Sequence, residues 1–184
     1  MTDVDREPVA RPYGWGAPSR SRLVTWGDPS VSSGAAASTA GLEFLSGLRD
    51  GTLPPAPIAS LFGLRIREVE AGRVVFEFDP DESFYNPIGT VHGGVACTLA
   101  DTVIGCAVHS TLAAGVGYTS IDLQVSYLAP LTSTSGPVVA TGRVVRAGRR
   151  VAFGRAEITD GHDRLVAEAS GSCLIMDRRV AAAG

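Results

Sequence analysis

Between Asn86 and Val108 the chain reads NPIGTVHGGVACTLADTVIGCAV: turn formers, then His-Gly-Gly, then an apolar run interrupted by a single acid. That acid, Asp101, is the only residue carrying a full charge at pH 7 from His92 to Ile121. Burying an unpaired carboxylate is costly, so Asp101 must be paired, protonated or turned toward a cavity. It could be a structural aspartate bonded to neighbouring backbone or to Thr102, or a functional group. Ahead of it, Gly93 and Gly94 stand where a helix should begin. Their unobstructed N–H groups, reinforced by the helix dipole, suit a carbonyl oxygen on which negative charge develops. Tight packing of the helix start against a sheet would call for the same two glycines, and the pattern alone does not separate the two readings.

His92, just before the helix, is expected to cap or position more than to act as a base. Asn86 precedes Pro87, where simple turn chemistry competes with donation from its side chain to a carbonyl or a water. Arg146, Arg149 and Arg150 surround Gly148 at an expected hairpin tip. Such a tip is usually just solvated, yet arginine forks also suit phosphate. His109 and His162 are expected at the surface.

These residues need a frame. The 184-residue chain is 45% hydrophobic and 19% charged, which suits one soluble globular domain with an appended arm. A net charge of −3 provides no basic field for nucleic acid or an anionic membrane, and all sixteen basic residues are arginine. Cys97, Cys106 and Cys173 are odd in number and far apart, fitting neither a disulfide framework nor a zinc site. They are expected to be buried small hydrophobes in a reducing, cytoplasmic compartment. The N-terminus MTDVDREPVARPYGWG does not read as a signal peptide. The apolar stretch from Gly93 reads as a buried helix, loop and strand, since its glycines, aspartate and histidine do not suit a membrane span.

Residues 1–55 are expected to form an arm, largely draped or flexible. It should carry a short strand at Leu23, Val24 and Trp26, and a short helix near 41–50 stopped by Gly51. Residues 56–179 are expected to form the main domain. GLRIREVE and RVVFEFD flank a turn at Ala71-Gly72 and predict a hairpin. Four further strand-like runs follow the helix. In the first, Ile121, Leu123, Val125 and Tyr127 alternate with Asp122, Gln124 and Ser126. One apolar helix set among such strands predicts an α+β fold in which a sheet wraps a central helix.

The segments NPIGTVHGGVACTLAD, TSIDLQVSYLAP and VVRAGRRVAF resemble the PaaI-type hotdog-fold acyl-CoA thioesterases, over roughly residues 61–176. The combination is specific: an Asn six residues before the His, an Asp nine after it, and Ser120 heading a strand. The resemblance implies a curved antiparallel sheet of five to six strands around one helix and hydrolysis of an acyl-CoA thioester without metal or organic cofactor. It implies a catalytic set of Asp101, as general base or nucleophile, with Asn86, His92, Gly93 and Ser120. Gly94, Tyr127, Arg146, Arg149 and Arg150 would contact the substrate and its CoA. It also implies a homodimer able to pair into a tetramer. Asp101 lies eight residues beyond Gly93, ~12 Å along the helix axis. It therefore cannot reach a carbonyl held at its own helix start, and sites shared between antiparallel helices of two subunits would solve this. A hotdog dehydratase acting on a 3-hydroxyacyl thioester and a non-catalytic acyl-CoA binding module remain as alternatives.

Overall fold

The structure, a computed structural model, describes residues 20–177. The first nineteen residues of the expected arm and residues 178–179 of the expected domain lie outside the described residues. Three helices come first: α1 (Pro29–Ser38), α2 (Gly41–Arg49) and α3 (Pro57–Phe62). The hairpin β1 (Arg65–Glu70) and β2 (Arg73–Phe78) follows, then a 3-10 turn at Glu82–Phe84 and the long helix α4 (Gly93–His109). Four strands complete the chain: β3 (Val116–Tyr127), β4 (Val138–Ala147), β5 (Val151–Thr159) and β6 (Leu165–Asp177). All six strands form one antiparallel sheet in the order β1-β2-β4-β5-β6-β3, with α4 lying across it. This is the hotdog architecture.

Helix α4 is apolar on nearly every side because it is the core. Leu99, Ala100, Val103, Ala107 and Val108 have no exposed surface. Close approach of helix to sheet depends on glycine. A Cβ at Gly142 would stand 2.0 Å from the Val103 carbonyl oxygen, and one at Gly154 would stand 2.7 Å from the Ile104 side chain. At its far end the helix is tied down by Ser110, whose hydroxyl accepts from the Gly72 N–H at 2.8 Å. Gly72 itself takes φ 80° in the β1–β2 turn, a left-handed conformation that favours glycine.

The arm differs from expectation in two places. No strand forms at Leu23, Val24 and Trp26; Leu23 is 90% exposed and Trp26 62% exposed. The chain is held there through charge instead. Arg20 pairs with Glu82, and Arg22 approaches Asp81 at 3.6 Å while its guanidinium covers the Phe84 ring at 4.9 Å. Helix α1 was not anticipated, because PSVSSGAAAS carries no apolar stripe. Its signal was present: Asp28 accepts from the Ser30 N–H at 2.8 Å as N-cap, and Pro29 opens the first turn. Helix α2 forms at Gly41–Arg49 and buries Leu45 against the core.

Two further expectations are corrected. His109 is not at the surface: it is 7% exposed, between the rings of Phe44 (5.3 Å) and Tyr118 (5.4 Å), because α2 closes over the end of α4. Of the cysteines only Cys173 is buried; Cys97 and Cys106 are half-buried and all three are free. His162 is exposed in the β5–β6 turn.

Candidate active site

The residues singled out in the sequence fall into two groups, both organised by α4. The first group sits at its N-terminus. His92 is the N-cap, and its Nδ1 accepts from the Gly94 N–H at 2.8 Å. Accepting there requires an unprotonated Nδ1, so in the neutral ring the proton lies on Nε2, clear of the cap. The Val95 N–H is taken by the His92 carbonyl at 2.9 Å. The Gly93 N–H donates to no acceptor among the described residues. Of the two glycines, therefore, only Gly93 keeps an open donor, at the positive end of the helix dipole.

Asn86 is occupied with its own loop. Its Oδ1 accepts from the Ile88 and Thr90 N–H groups at 3.0 and 3.3 Å, and its Nδ2 donates to the Thr90 hydroxyl at 3.0 Å. The loop is closed by the Asn86 N–H to Thr90 carbonyl bond at 2.8 Å and by Gly89 at φ 80°. It joins the fold through the Val91 N–H to Leu131 carbonyl and His92 N–H to Phe84 carbonyl bonds, at 2.9 and 2.8 Å. Tyr127 stands over this end. Its hydroxyl lies 3.0 Å from the Cys97 sulfur and donates to the Gly93 carbonyl at 3.3 Å. The Cys97 contact, with some desolvation, raises the Tyr127 pKa above its ordinary value. His92, Gly93 and Tyr127 line one cavity of about 340 Å³.

The second group is in mid-helix. Asp101 is exposed on the flank of α4, and its Oδ1 accepts from the Ser120 hydroxyl at 2.6 Å. The lone acid is thus paired with a neutral donor while its carboxylate stays open. Ser120 reaches it through a β-bulge. In the β3–β6 register Ser120 pairs with Cys173 and Asp122 with Ser172, leaving Ile121 unpaired. The extra residue shifts the alternation by one, so Ser120 and Leu123 both face the helix. Ile121, expected on the same face as Leu123, is 53% exposed instead. Asp122, on the other face, accepts from the Ser172 hydroxyl. Nearby, burial pushes the Cys106 thiol up to about 12, and the Asp101 carboxylate adds to the shift. Asp101 and Ser120 line a second, larger groove of about 890 Å³ whose opposite wall is α2 and α3.

Arg149 and Arg150 lie at the β4–β5 tip with Arg146 just before it; all three are exposed and make no ion pair among the described residues. Neither cavity includes them. No three His, Cys, Asp or Glu side chains among the described residues cluster so as to hold a metal ion. No helix there is long and apolar enough to cross a membrane.

An open helix-start amide and a carboxylate–hydroxyl pair are thus carried by, or held against, a central helix on a six-stranded antiparallel sheet, the hotdog architecture. The thioesterase superfamily pattern matches residues 88–167. An esterase-related protein of Halobacterium salinarum is 34% identical over 116 residues, 60% of this chain and 75% of its own. Acyl-coenzyme A thioesterase 13 of Homo sapiens is 32% identical over 89 residues, 48% of this chain; the matched region spans only 62% of that relative's length. Among solved structures, a phenylacetic acid degradation-related thioesterase-like protein of Ralstonia eutropha superposes with a TM-score of 0.65 at 30% identity, covering 70% of this chain and 97% of that one. This chain belongs to the hotdog-fold thioesterase superfamily and is related to its PaaI-like members.

Proposed function

We propose that this protein hydrolyses an acyl-CoA thioester at sites shared between two copies of the chain. The observation that carries the reading is the Asp101–Ser120 pair, 2.6 Å apart and open to a groove, with Asp101 on the same helix as the free Gly93 amide but facing a different cavity. Along one helix the two are ~12 Å apart, too far to act on one carbonyl. Strand β3 supplies a route to a shared site. It is a twelve-residue edge strand whose outer side pairs with no strand among the described residues. An open edge of that length is a template for pairing with a second copy. Two-fold pairing there sets the α4 helices side by side, running in opposite directions, and each Asp101 meets its partner's helix start.

In that arrangement Asp101 takes a proton from water, with Ser120 holding the carboxylate in place, and the hydroxide attacks the thioester carbon. The Gly93 N–H receives the developing oxyanion, an arrangement worth most in a site closed to water. Collapse of the tetrahedral intermediate breaks the carbon–sulfur bond, and the CoA thiolate recovers the proton from Asp101. Direct attack by Asp101 on the carbonyl, through an anhydride, uses the same geometry. His92 positions the helix start, and Asn86 shapes the loop beside it. Arg146, Arg149 and Arg150, at and just before the β4–β5 tip outside both cavities, grip the CoA phosphates.

Mixed dimers test the shared site. Asp101→Asn and Asn86→Ala chains, each nearly inactive alone, are unfolded together, refolded and assayed for thiol release. If the site is shared, a mixed dimer has one undamaged site, and free exchange returns about a quarter of wild-type activity by counting for a two-fold assembly. Mixed dimers verified by mass that show no recovery place each site within one chain.

A further inference from the structure

The groove at Asp101 is built largely by residues that precede the segment matched by the family pattern, which starts at 88. We propose that residues 41–59 are the acyl-selecting wall of this site, and that the acyl group they admit is apolar and of medium length. The proposal rests on the hydrolase reading above and goes beyond it by naming the substrate class and the residues that choose it.

Three properties of the groove carry the proposal. It is continuous with the candidate chemistry, since Asp101 and Ser120 line one side of it while Leu48, Leu53 and Ile58 line the other. At about 890 Å³ it lies near the top of the ~300–1,000 Å³ range of small-molecule sites, well beyond what an acetyl group fills. Its two arginines are already committed. Arg49 pairs with Asp50 at 2.8 Å, and Arg65 pairs with Glu77 and Asp79 at 2.8 and 2.6 Å. With Arg49 and Arg65 engaged and Asp101 facing the groove, an acyl chain ending in its own carboxylate would meet repulsion without a compensating arginine in the groove lining.

The wall is also held rigidly enough to select. Gly41 lies so close to the end of α4 that a Cβ there would stand 1.8 Å from the His109 carbonyl oxygen, and its N–H donates to the Leu112 carbonyl at 3.0 Å. The turn after α2 is closed by the Thr52 and Leu53 N–H groups donating to the Gly47 carbonyl at 3.0 and 3.1 Å. Helix α1 anchors the next residue, because the buried Ser32 donates to the Pro54 carbonyl at 2.5 Å. A pocket ordered before the ligand arrives loses less entropy on binding and discriminates by shape.

The test separates the wall from the chemistry by reading binding and turnover independently. Binding of S-alkyl-CoA thioethers, from ethyl to decyl, is measured by calorimetry, and hydrolysis of the matching acyl-CoAs by thiol release. Affinity should rise about fourfold per added methylene until the groove is full. Leu48→Trp fills the groove, and Ile58→Asp charges a side chain that is already 48% exposed and so tolerates the change. Each should lower the octanoyl-to-butyryl ratio of kcat/KM by about tenfold or more. Leu23→Ala, on the arm but outside the groove, should leave the ratio alone. Circular dichroism and molecular mass report folding, and if Leu48→Trp fails to fold, Ile58→Asp decides. Thioether binding that follows chain length and shifts in the variants, with no acyl-CoA hydrolysed, removes the hydrolase reading and leaves the wall standing. Hydrolysis with a ratio unmoved in the folded variants overturns the wall, as does a preference for carboxylated acyl chains.

Discussion

The two ends of the candidate site are built on different physical terms. At the start of α4 nearly every polar group is satisfied locally: Asn86 is bound into its loop, Gly94 is capped by His92, and Tyr127 covers the first turn. One donor, the Gly93 N–H, is left over. Around Asp101 the balance is reversed. A single hydroxyl holds the carboxylate, and the surroundings are an apolar groove. A rigid frame exposing one N–H is suited to receiving charge, because a preorganised dipole needs no rearrangement as charge appears. A lightly held carboxylate beside apolar walls is suited to moving a proton. Substitutions at the two ends should therefore fail in different ways.

The largest expected effect is at the lightly held end. Asp101→Asn should lower kcat by ~10²–10⁴, the usual worth of a general base, with folding and subunit assembly intact because the side chain is exposed and has one partner. Near-normal turnover, or a chain that does not fold, would erase the contrast.

At the rigid end, Gly93→Ala places a Cβ 3.1 Å from the Tyr127 ring, beside the open amide. Tyr127 is 57% exposed and can swing aside, so stability should hold while kcat falls by up to about 10², because the added methyl crowds the oxyanion's approach to an amide that itself remains. Gly142→Ala sharpens the comparison from beneath the same helix. Its Cβ would collide with the backbone oxygen of Val103, and α4 would have to lift from the sheet. The expected cost is ~1–3 kcal/mol of stability, read from the urea midpoint. If Gly93→Ala lowers the midpoint as much as Gly142→Ala does, the helix start is structural only.

Smaller effects are expected at the margins. Arg149→Ala with Arg150→Ala should raise KM for acyl-CoA about threefold to tenfold with kcat nearly unchanged, since exposed phosphate contacts remote from the reacting carbon supply uniform binding. The change should vanish with a short thioester lacking the nucleotide. The smallest concerns Cys106. With its pKa pushed up to about 12, the group stays a thiol below that pH, and iodoacetamide should leave it unmodified at pH 8. Labelling of Cys106 there, read by mass spectrometry of peptides, would show a looser groove than the geometry describes.

Much of this architecture was legible beforehand because it rests on local rules. Alternating apolar residues mark the strands, Ala71-Gly72 marks the hairpin, and two glycines after a histidine mark the start of α4. The lone charge of Asp101 is visible to simple inspection. Of the features that escaped, three are instructive. Helix α1 was hidden by its small residues, although Asp28-Pro29 signals a capped helix start. His109 resembled a surface residue because α2, distant in sequence, is what covers it. The bulge at Ile121 leaves no mark in a run that alternates cleanly on paper, yet it alone turns Ser120 toward Asp101.

By itself, then, the sequence determined the helix, the six strands and the class of fold, and it marked the candidate site residues, since propensity, periodicity and charge act between near neighbours. Tertiary structure alone decided that β3 leaves its successor β4 to pair with β6 at the sheet edge, that Ser120 meets Asp101, and that α2 and α3 wall the groove beside them. Those outcomes depend on contacts between residues far apart in the chain, where the gain comes from burying shared surface rather than from any local preference.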